Sequence, residues 1–350
     1  MRYESEHDSN VRKIAERQVK KRQKRNGGKI LLIYIASTGF LIGLNMILIL
    51  RMQGDMSRMQ EQINKIKSSP VLPQEDTLIP VGDSQNIRQP VRYEGQVLPE
   101  DSYGAKLGLD EVDQPKVRNS EEVILRLYEL GKDNELIAKI CKNSSEYPAK
   151  MLEALANNPE MADFVSGYTG SRTKASGGLS EDELALEFPL FLQWDPRWGY
   201  VKYGDNSCIG LVGCGPTCLS MALYYLTEDE SITPDSVAAY SMANGYYVSG
   251  AGTAWALLTD LPSKYGIGVS EPNRSEQTLK SALDQGKVVI CSVGQGDFTA
   301  AGHFIVLYGY DKEGFMINDP NCVARSMKRW TYEEIASQIK HIWVLGESSF

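Results

Sequence analysis

Residues 184–350 predict an α+β domain, preceded along the chain by a small helical region, a disordered stalk and one transmembrane helix. Three observations carry this reading. After residue 184, helix-like patterns come first and a strand-rich run comes last, an order that suits helices beside an antiparallel sheet. Residues 30–50 run for 21 positions without a charge, close to the roughly 20 needed to cross the hydrocarbon core of a bilayer. Residues 68–118 are broken by Pro70, Pro73, Pro80, Pro90 and Pro99, with Gln, Asp and Ser between them and no sustained apolar period. Such text cannot bury enough apolar surface to fold.

Residues 1–29 carry ten Lys/Arg against four acids and read as a basic cytoplasmic tail. From Arg12 to Lys29 there are nine bases and one acid, which keeps this end inside. Residues 30–50 then span the membrane and the rest lies outside. A cleaved signal peptide fits less well, because the apolar stretch is too long and no small-residue cleavage site follows. Gly39 and Gly43 would allow two spanning helices to approach closely. In residues 51–67, Met52, Met56, Met59, Ile63 and Ile66 continue a three-and-four spacing from Ile49. This predicts a juxtamembrane amphipathic helix, and with the glycine pair it allows a weak homodimer. The linker over 68–118 has a root-mean-square span of roughly 40 Å as a flexible coil.

Residues 119–168 predict a small helical region. Asn119 with Glu122 makes a capping box, and Val123, Leu127 and Leu130 follow at helical spacing. A second helix is expected near 136–141. Pro148 and Pro159 each sit as a first helical residue of a further short helix. Four short helices bury little alone, so they should pack on one another and on the domain that follows. Residues 169–183 form a polar connector. In the domain 184–350, helices are expected at 216–226, 234–243, 253–265 and 276–285, and strands at 288–293, 303–310, 314–318 and 341–345.

The formal charge is −8 overall and +6 over residues 1–29, so the remainder sums to −14. That acidic portion shows no basic patch with interleaved aromatics and does not read as a nucleic-acid binder. All six cysteines, at 141, 208, 214, 218, 291 and 322, fall on the exported side. The compartment permits disulfides, and the sequence assigns none. No Cys-x-x-Cys pair occurs, so a zinc site is not expected.

Chemistry concentrates in three places. Gly213-Cys214-Gly215-Pro216-Thr217 opens an apolar helix, which sets Cys214 at or just before its N-terminus. The macrodipole there favours a thiolate, and outward backbone N–H groups could hold an oxyanion. Buried, inert cysteine is the competing structural reading, and this segment alone weighs the two about equally. Cys218, one turn deeper on the apolar face, is the nearest rival. Gly302-His303 opens an apolar strand, and His303 is one of only three histidines, with His7 and His341. A structural role is the usual fate of a lone histidine at a strand start, and it suits His341. Asn318-Asp319-Pro320 closes the next strand. A three-residue loop ending at Gly314 would pair Leu307 with Asp319, leaving His303 and Asp319 on one face and offset by about four residues. A chain bend at Pro320 would close that gap. The acid would then bind one imidazole nitrogen and leave the other to take a thiol proton. The glycine-containing loops at 250–252 and 294–299 would either line a substrate groove or serve as ordinary turns.

Cys at a helix start, then His, then Asp sixteen residues later is the order found in papain-like cysteine peptidases. Gly-Cys-Gly-Pro-Thr upstream of Gly-His-Phe-Ile-Val-Leu and Asn-Asp-Pro resembles the peptidase C-thirty-nine-like family, over about residues 184–346. Its best-known members trim double-glycine leaders from bacteriocins, and the most similar subgroup consists of exported or membrane-anchored proteins of Gram-positive bacteria. The resemblance implies a papain-like fold, Cys214 as nucleophile, His303 as general base and then acid, and Asp319 as the group that orients it. It also implies a glutamine completing the oxyanion hole. Gln193 is the candidate, although it stands 21 residues before Cys214, farther than in leader-trimming members. The implied activity is peptide-bond hydrolysis outside the membrane, on a peptide or protein substrate, with no metal or organic cofactor. A peptidoglycan endopeptidase or amidase, and a non-catalytic binding module on the same fold, are the alternatives.

Overall fold

The computed structural model describes residues 111–168, 174–250 and 252–346. The expected tail, spanning helix, juxtamembrane helix and most of the linker, residues 1–110, lie outside the described residues. Among the described residues no helix is long and apolar enough to cross a membrane.

The helical region consists of α1 (Ser120–Leu130), α2 (Glu135–Lys142), α3 (Ala149–Asn157) and α4 (Ala162–Ser166). Asn119 and Glu122 form the reciprocal capping box that the sequence predicts. Pro148 is the N-cap of α3, one position earlier than expected. Pro159 opens a 3₁₀ turn, Pro159–Met161, that leads into α4. These helices share one continuous hydrophobic core with the following domain. Phe164 shows how the two are joined. It is fully buried, stacks on Tyr200 with ring centroids 4.7 Å apart, and its carbonyl accepts the Tyr200 hydroxyl at 2.7 Å. A Cβ on Gly210 would lie 2.4 Å from the Phe164 ring, so only glycine lets that chain segment pass.

The next helices are α5 (Glu181–Ala185), α6 (Ile209–Val212), α7 (Cys214–Thr227) and α8 (Pro234–Ala243). A two-stranded ribbon follows, β1 (Tyr247–Val248) with β2 (Gly252–Thr253), and then α9 (Leu257–Lys264), β3 (Gly268–Ser270) and α10 (Glu276–Asp284). The strand-rich end comprises β4 (Val288–Gly294), β5 (Gly302–Tyr310), β6 (Phe315–Asn318) and β7 (Arg329–Trp330). Two short helices flank β7, α11 (Val323–Met327) before it and α12 (Tyr332–Ala336) after it, and β8 (Ile339–Gly346) closes the sheet. Strand order is β3-β8-β4-β5-β6-β7, with every pairing antiparallel. The fold is α+β. The sequence reading lacks the short strands β1, β2, β3 and β7. It also begins the helix before residue 265 four residues early, because Thr253 is held in the ribbon.

Alternate residues of the strands enter two cores. Val288, Ile290, Phe304, Val306, Tyr308 and Trp343 face the large core that contains α7. Val289, Cys291, Ile305, Leu307, Ile317 and Val344 face a second core with Leu279 of α10 and Ile335 of α12. A sheet covered on both faces explains why these strands read as unbroken apolar runs.

The β5–β6 hairpin departs from the predicted register. Its turn is clamped by Asp311, whose Oδ1 accepts from the N–H groups of Glu313 at 2.8 Å and Gly314 at 3.2 Å. Gly314 has φ +146°, and a Cβ there would meet the Trp330 carbonyl oxygen at 2.5 Å. Tyr310 pairs with Phe315, a bulge intervenes between Leu307 and Gly309, and Leu307 then pairs with Ile317, not Asp319. Continuing that register sets Asp319 opposite Ile305. The gap to His303 is therefore two residues instead of four, because the longer turn and the bulge each draw β6 along its partner.

Candidate active site

Cys214 is the first residue of α7, and Gly213 is its N-cap without a side-chain capping bond. The first N–H groups of a helix have no intrahelical partner. At this end these are the N–H groups of Cys214 and Gly215, since Pro216 has none. Behind them α7 is buried from Gly215 to Leu226, so the half-buried Cys214 stands where the helix emerges from the core. Gly215 leaves no room for a side chain, since a Cβ there would lie 2.8 Å from both Cβ and Oγ1 of Thr253. Thr253 is in turn held by the Tyr203 hydroxyl at 2.8 Å. Thr253 of β2 thus adjoins the start of α7.

His303 is the second residue of β5 and is 8% exposed. Its Nε2 bonds Asp319 Oδ1 at 2.7 Å, and Asp319 is fully buried. The remaining ring nitrogen is Nδ1, and Cys214 is among the groups that act on the imidazole. Burial pushes the His303 pKa down, but the charge and hydrogen bond of Asp319 outweigh it, and Cys214 adds to them. The net result is a pKa raised to about 10. The shift of Asp319 mirrors this. Burial would raise its pKa, and His303, then Arg325 and the Asn321 N–H, bring it below the ordinary carboxylate value.

Asp319 is held by local chemistry. Pro320 is the second residue of a turn closed by the Cys322 N–H donating to the Asp319 carbonyl at 3.1 Å. The Asn321 N–H donates to Asp319 Oδ1 at 2.8 Å, as in an Asx turn. The main-chain N–H of Asp319 donates to Ser326 Oγ at 2.9 Å. Arg325, 4% exposed, reaches Asp319 Oδ2 with Nη1 at 3.4 Å and donates from Nη2 to the Asp113 carbonyl at 3.1 Å. Sequence reasoning missed Arg325. Its one local signal is an arginine within the apolar run Val323-Ala324, six residues after the acid.

Gln193 is buried beside the same turn. Its main-chain N–H donates to the Pro320 carbonyl at 2.7 Å, and Nε2 donates to the Gly210 carbonyl at 3.0 Å. The amide nitrogen is thus engaged by α6, and the buried Oε1 has no hydrogen-bond partner. Trp194 and Trp198 pin the segment, the first donating to the Asn321 carbonyl and the second to the Leu192 carbonyl, each at 2.8 Å.

The six cysteines are free thiols. Burial drives the pKa of Cys208 up to about 11 and raises those of Cys218, Cys291 and Cys322. His341 lies elsewhere, with Nε2 bonded to Glu271 at 2.6 Å and its ring stacked on Trp255. Among the described residues no group of three or more His, Cys, Asp or Glu side chains is placed to hold a metal ion.

Residues 185–347 match the Peptidase_C39 like family. This domain is similar to that family. Two solved structures are similar to the C39-like domain. The peptidase domain of Streptococcus ComA, a bi-functional ABC transporter involved in a quorum sensing pathway, is 19% identical and has a TM-score of 0.30. That similarity covers 39% of this chain and 93% of that one. A protein of Bacillus anthracis described as a C39-like peptidase is 17% identical with a TM-score of 0.30, covering 47% of this chain and 96% of that one. No curated protein matches the chain.

Proposed function

We propose that this protein is a cysteine peptidase, anchored in the cell membrane by residues 30–50, whose C39-like domain cleaves peptide bonds outside the cell. The observation that carries the reading is the 2.7 Å bond between His303 Nε2 and the buried Asp319, on an imidazole whose pKa Cys214, at the start of α7, also helps to raise. A shielded carboxylate and a raised imidazole pKa favour the protonated ring, and a protonated ring favours a thiolate beside it. The Cys214 thiolate attacks the scissile carbonyl carbon and forms the C–S bond. The oxyanion rests on the N–H groups at the start of α7 and on the second amide hydrogen of Gln193. His303 then protonates the leaving amine as the C–N bond breaks. Water, giving its proton to His303, next attacks the thioester and releases the acid and the thiol. The substrate is a peptide or protein outside the membrane, and the spanning and juxtamembrane helices support a weak homodimer.

The test is site-resolved alkylation of Cys214 across pH in the full chain, with His303→Ala beside it, followed by hydrolysis of peptide libraries and of purified wall peptides. Rapid alkylation well below the ordinary thiol range, lost in the variant, is expected. Alkylation unaffected by His303 would remove the catalytic assignment and favour a binding module. Turnover confined to wall peptides would redirect the assignment to a peptidoglycan hydrolase.

A further inference from the structure

We infer that Glu160, from the helical region outside the C39-like domain, is a positioning residue for the reaction: it anchors the 320–326 turn on which Asp319 depends. The inference rests on the catalytic reading given above. Glu160 is 1% exposed. Its carboxylate straddles the start of α11, Oε2 accepting the Val323 N–H at 2.8 Å and Oε1 the Ala324 N–H at 2.9 Å. Cys322, the N-cap of α11, supplies no side-chain bond of its own. Asn158 adds to the clamp. Its Oδ1 accepts the Glu160 N–H at 3.0 Å, and its Nδ2 donates to the Asn321 carbonyl.

Asp319 meets this clamp from the other side. Apart from His303, the partners of its carboxylate are Asn321 and Arg325, and its main-chain N–H is bound to Ser326. All three lie in the turn and short helix that Glu160 and Asn158 hold. The segment leading into the helical region also reaches Arg325 directly, through the Asp113 carbonyl.

The way this cap is built separates positioning from ordinary helix capping. Elsewhere α1, α5, α8, α10 and α12 are capped by a neighbouring Asn, Ser or Thr. Here the cap is a buried carboxylate 163 residues from the N–H it binds. Burial raises its pKa against the hydrogen bonds from Ala324, Val323, Cys322 and Asn158, and no Lys or Arg makes a salt bridge with it among the described residues. An ionised carboxylate shielded from water without a countercharge is costly. A cap serving α11 alone needs only a serine. What the distant carboxylate adds is a rigid tie between the helical region and the loop that carries the acid, and small displacements of such a group are expensive for catalysis.

The experiment compares Glu160→Gln with wild type as full chains in detergent micelles, reading site-resolved alkylation of Cys214 by iodoacetamide against pH, with His303→Ala as reference. Expected is an acid limb displaced to higher pH, with alkylation near pH 6 about tenfold slower than wild type. The rate near pH 10, where a thiol of ordinary pKa is ionised, should stay equal. A purely structural loss would lower stability without moving the limb. A Glu160→Gln profile that overlays wild type, while His303→Ala still abolishes the limb, overturns this inference and leaves the peptidase reading standing. A wild-type profile already indifferent to His303→Ala overturns both. If Glu160→Gln loses the wild-type near-ultraviolet spectrum, Asn158→Ala, a milder change to the same clamp, carries the comparison with the same outcomes.

Discussion

Replacing Asp319 by Asn removes the charge that dominates the imidazole while keeping the side-chain shape. In the folded chain His303 is pushed down by burial and raised by Asp319 and Cys214, from 6.5 to about 10. That change is worth at most about 5 kcal/mol of preference for the protonated ring. Without the carboxylate charge, burial prevails over what remains and the ring should titrate below 6.5. Arg325 also loses its charged partner and retains the Asp113 carbonyl, and breaking a buried pair costs about 3–5 kcal/mol. The pH dependence has a definite sign. The raised pKa of His303 contributes stability that is complete below about pH 6.5 and is lost as pH rises towards about 10. The lowered pKa of Asp319 contributes stability present above its ordinary value of 3.8 and lost as pH falls through the lower folded value. The stability gap between wild type and Asp319→Asn should therefore be widest from about pH 4 to 6.5 and narrow towards pH 10. Urea denaturation across pH measures the gap, and the His303 Cε1 proton resonance measures the titration. A ring that titrates in the variant as it does in wild type, or a gap that widens above pH 7, would refute the reasoning.

Three further outcomes follow from the packing. Phe164→Ala empties a fully buried site against Tyr200 and Gly210 and should destabilise the folded chain by about 3–5 kcal/mol in urea titrations. An effect below about 1 kcal/mol would mean that the helical region does not share the domain core. Gly215→Ala places a Cβ 2.8 Å from Thr253, so a loss of about 1–3 kcal/mol is expected by thermal unfolding, along with slower alkylation of Cys214 as the start of α7 shifts. In the native chain, alkylating agents at neutral pH should mark Cys214 and spare Cys218 and Cys291, whose thiols burial holds protonated. Peptide mass spectrometry showing equal labelling would contradict the buried placement of Cys218 in α7 and Cys291 in β4.

Much of the candidate site was legible because its parts are local. A glycine-flanked cysteine before a proline marks a helix start by backbone chemistry alone, and α7 does begin at Cys214. The strand carrying His303 and the turn after Asn318 are written in apolar runs and in Pro320. Less legible was how far apart the two fall, because register depends on a turn and a bulge whose shape is settled by what packs on them. Gly314 lies under the Trp330 carbonyl of β7, a strand of two residues too short to announce itself.

By itself, then, the sequence determined the order of the elements, the α+β class and the strands and turn that bring His303 to Asp319, since these follow from periodicity, capping and the conformational limits of Gly and Pro. Tertiary structure alone decided what surrounds them. Arg325 and Glu160 sit six residues after Asp319 and 159 residues before it, respectively, in text that resembles any short helix. They matter because folding buries both against the same turn, where water no longer competes for hydrogen bonds and one charge is strongly felt by the next.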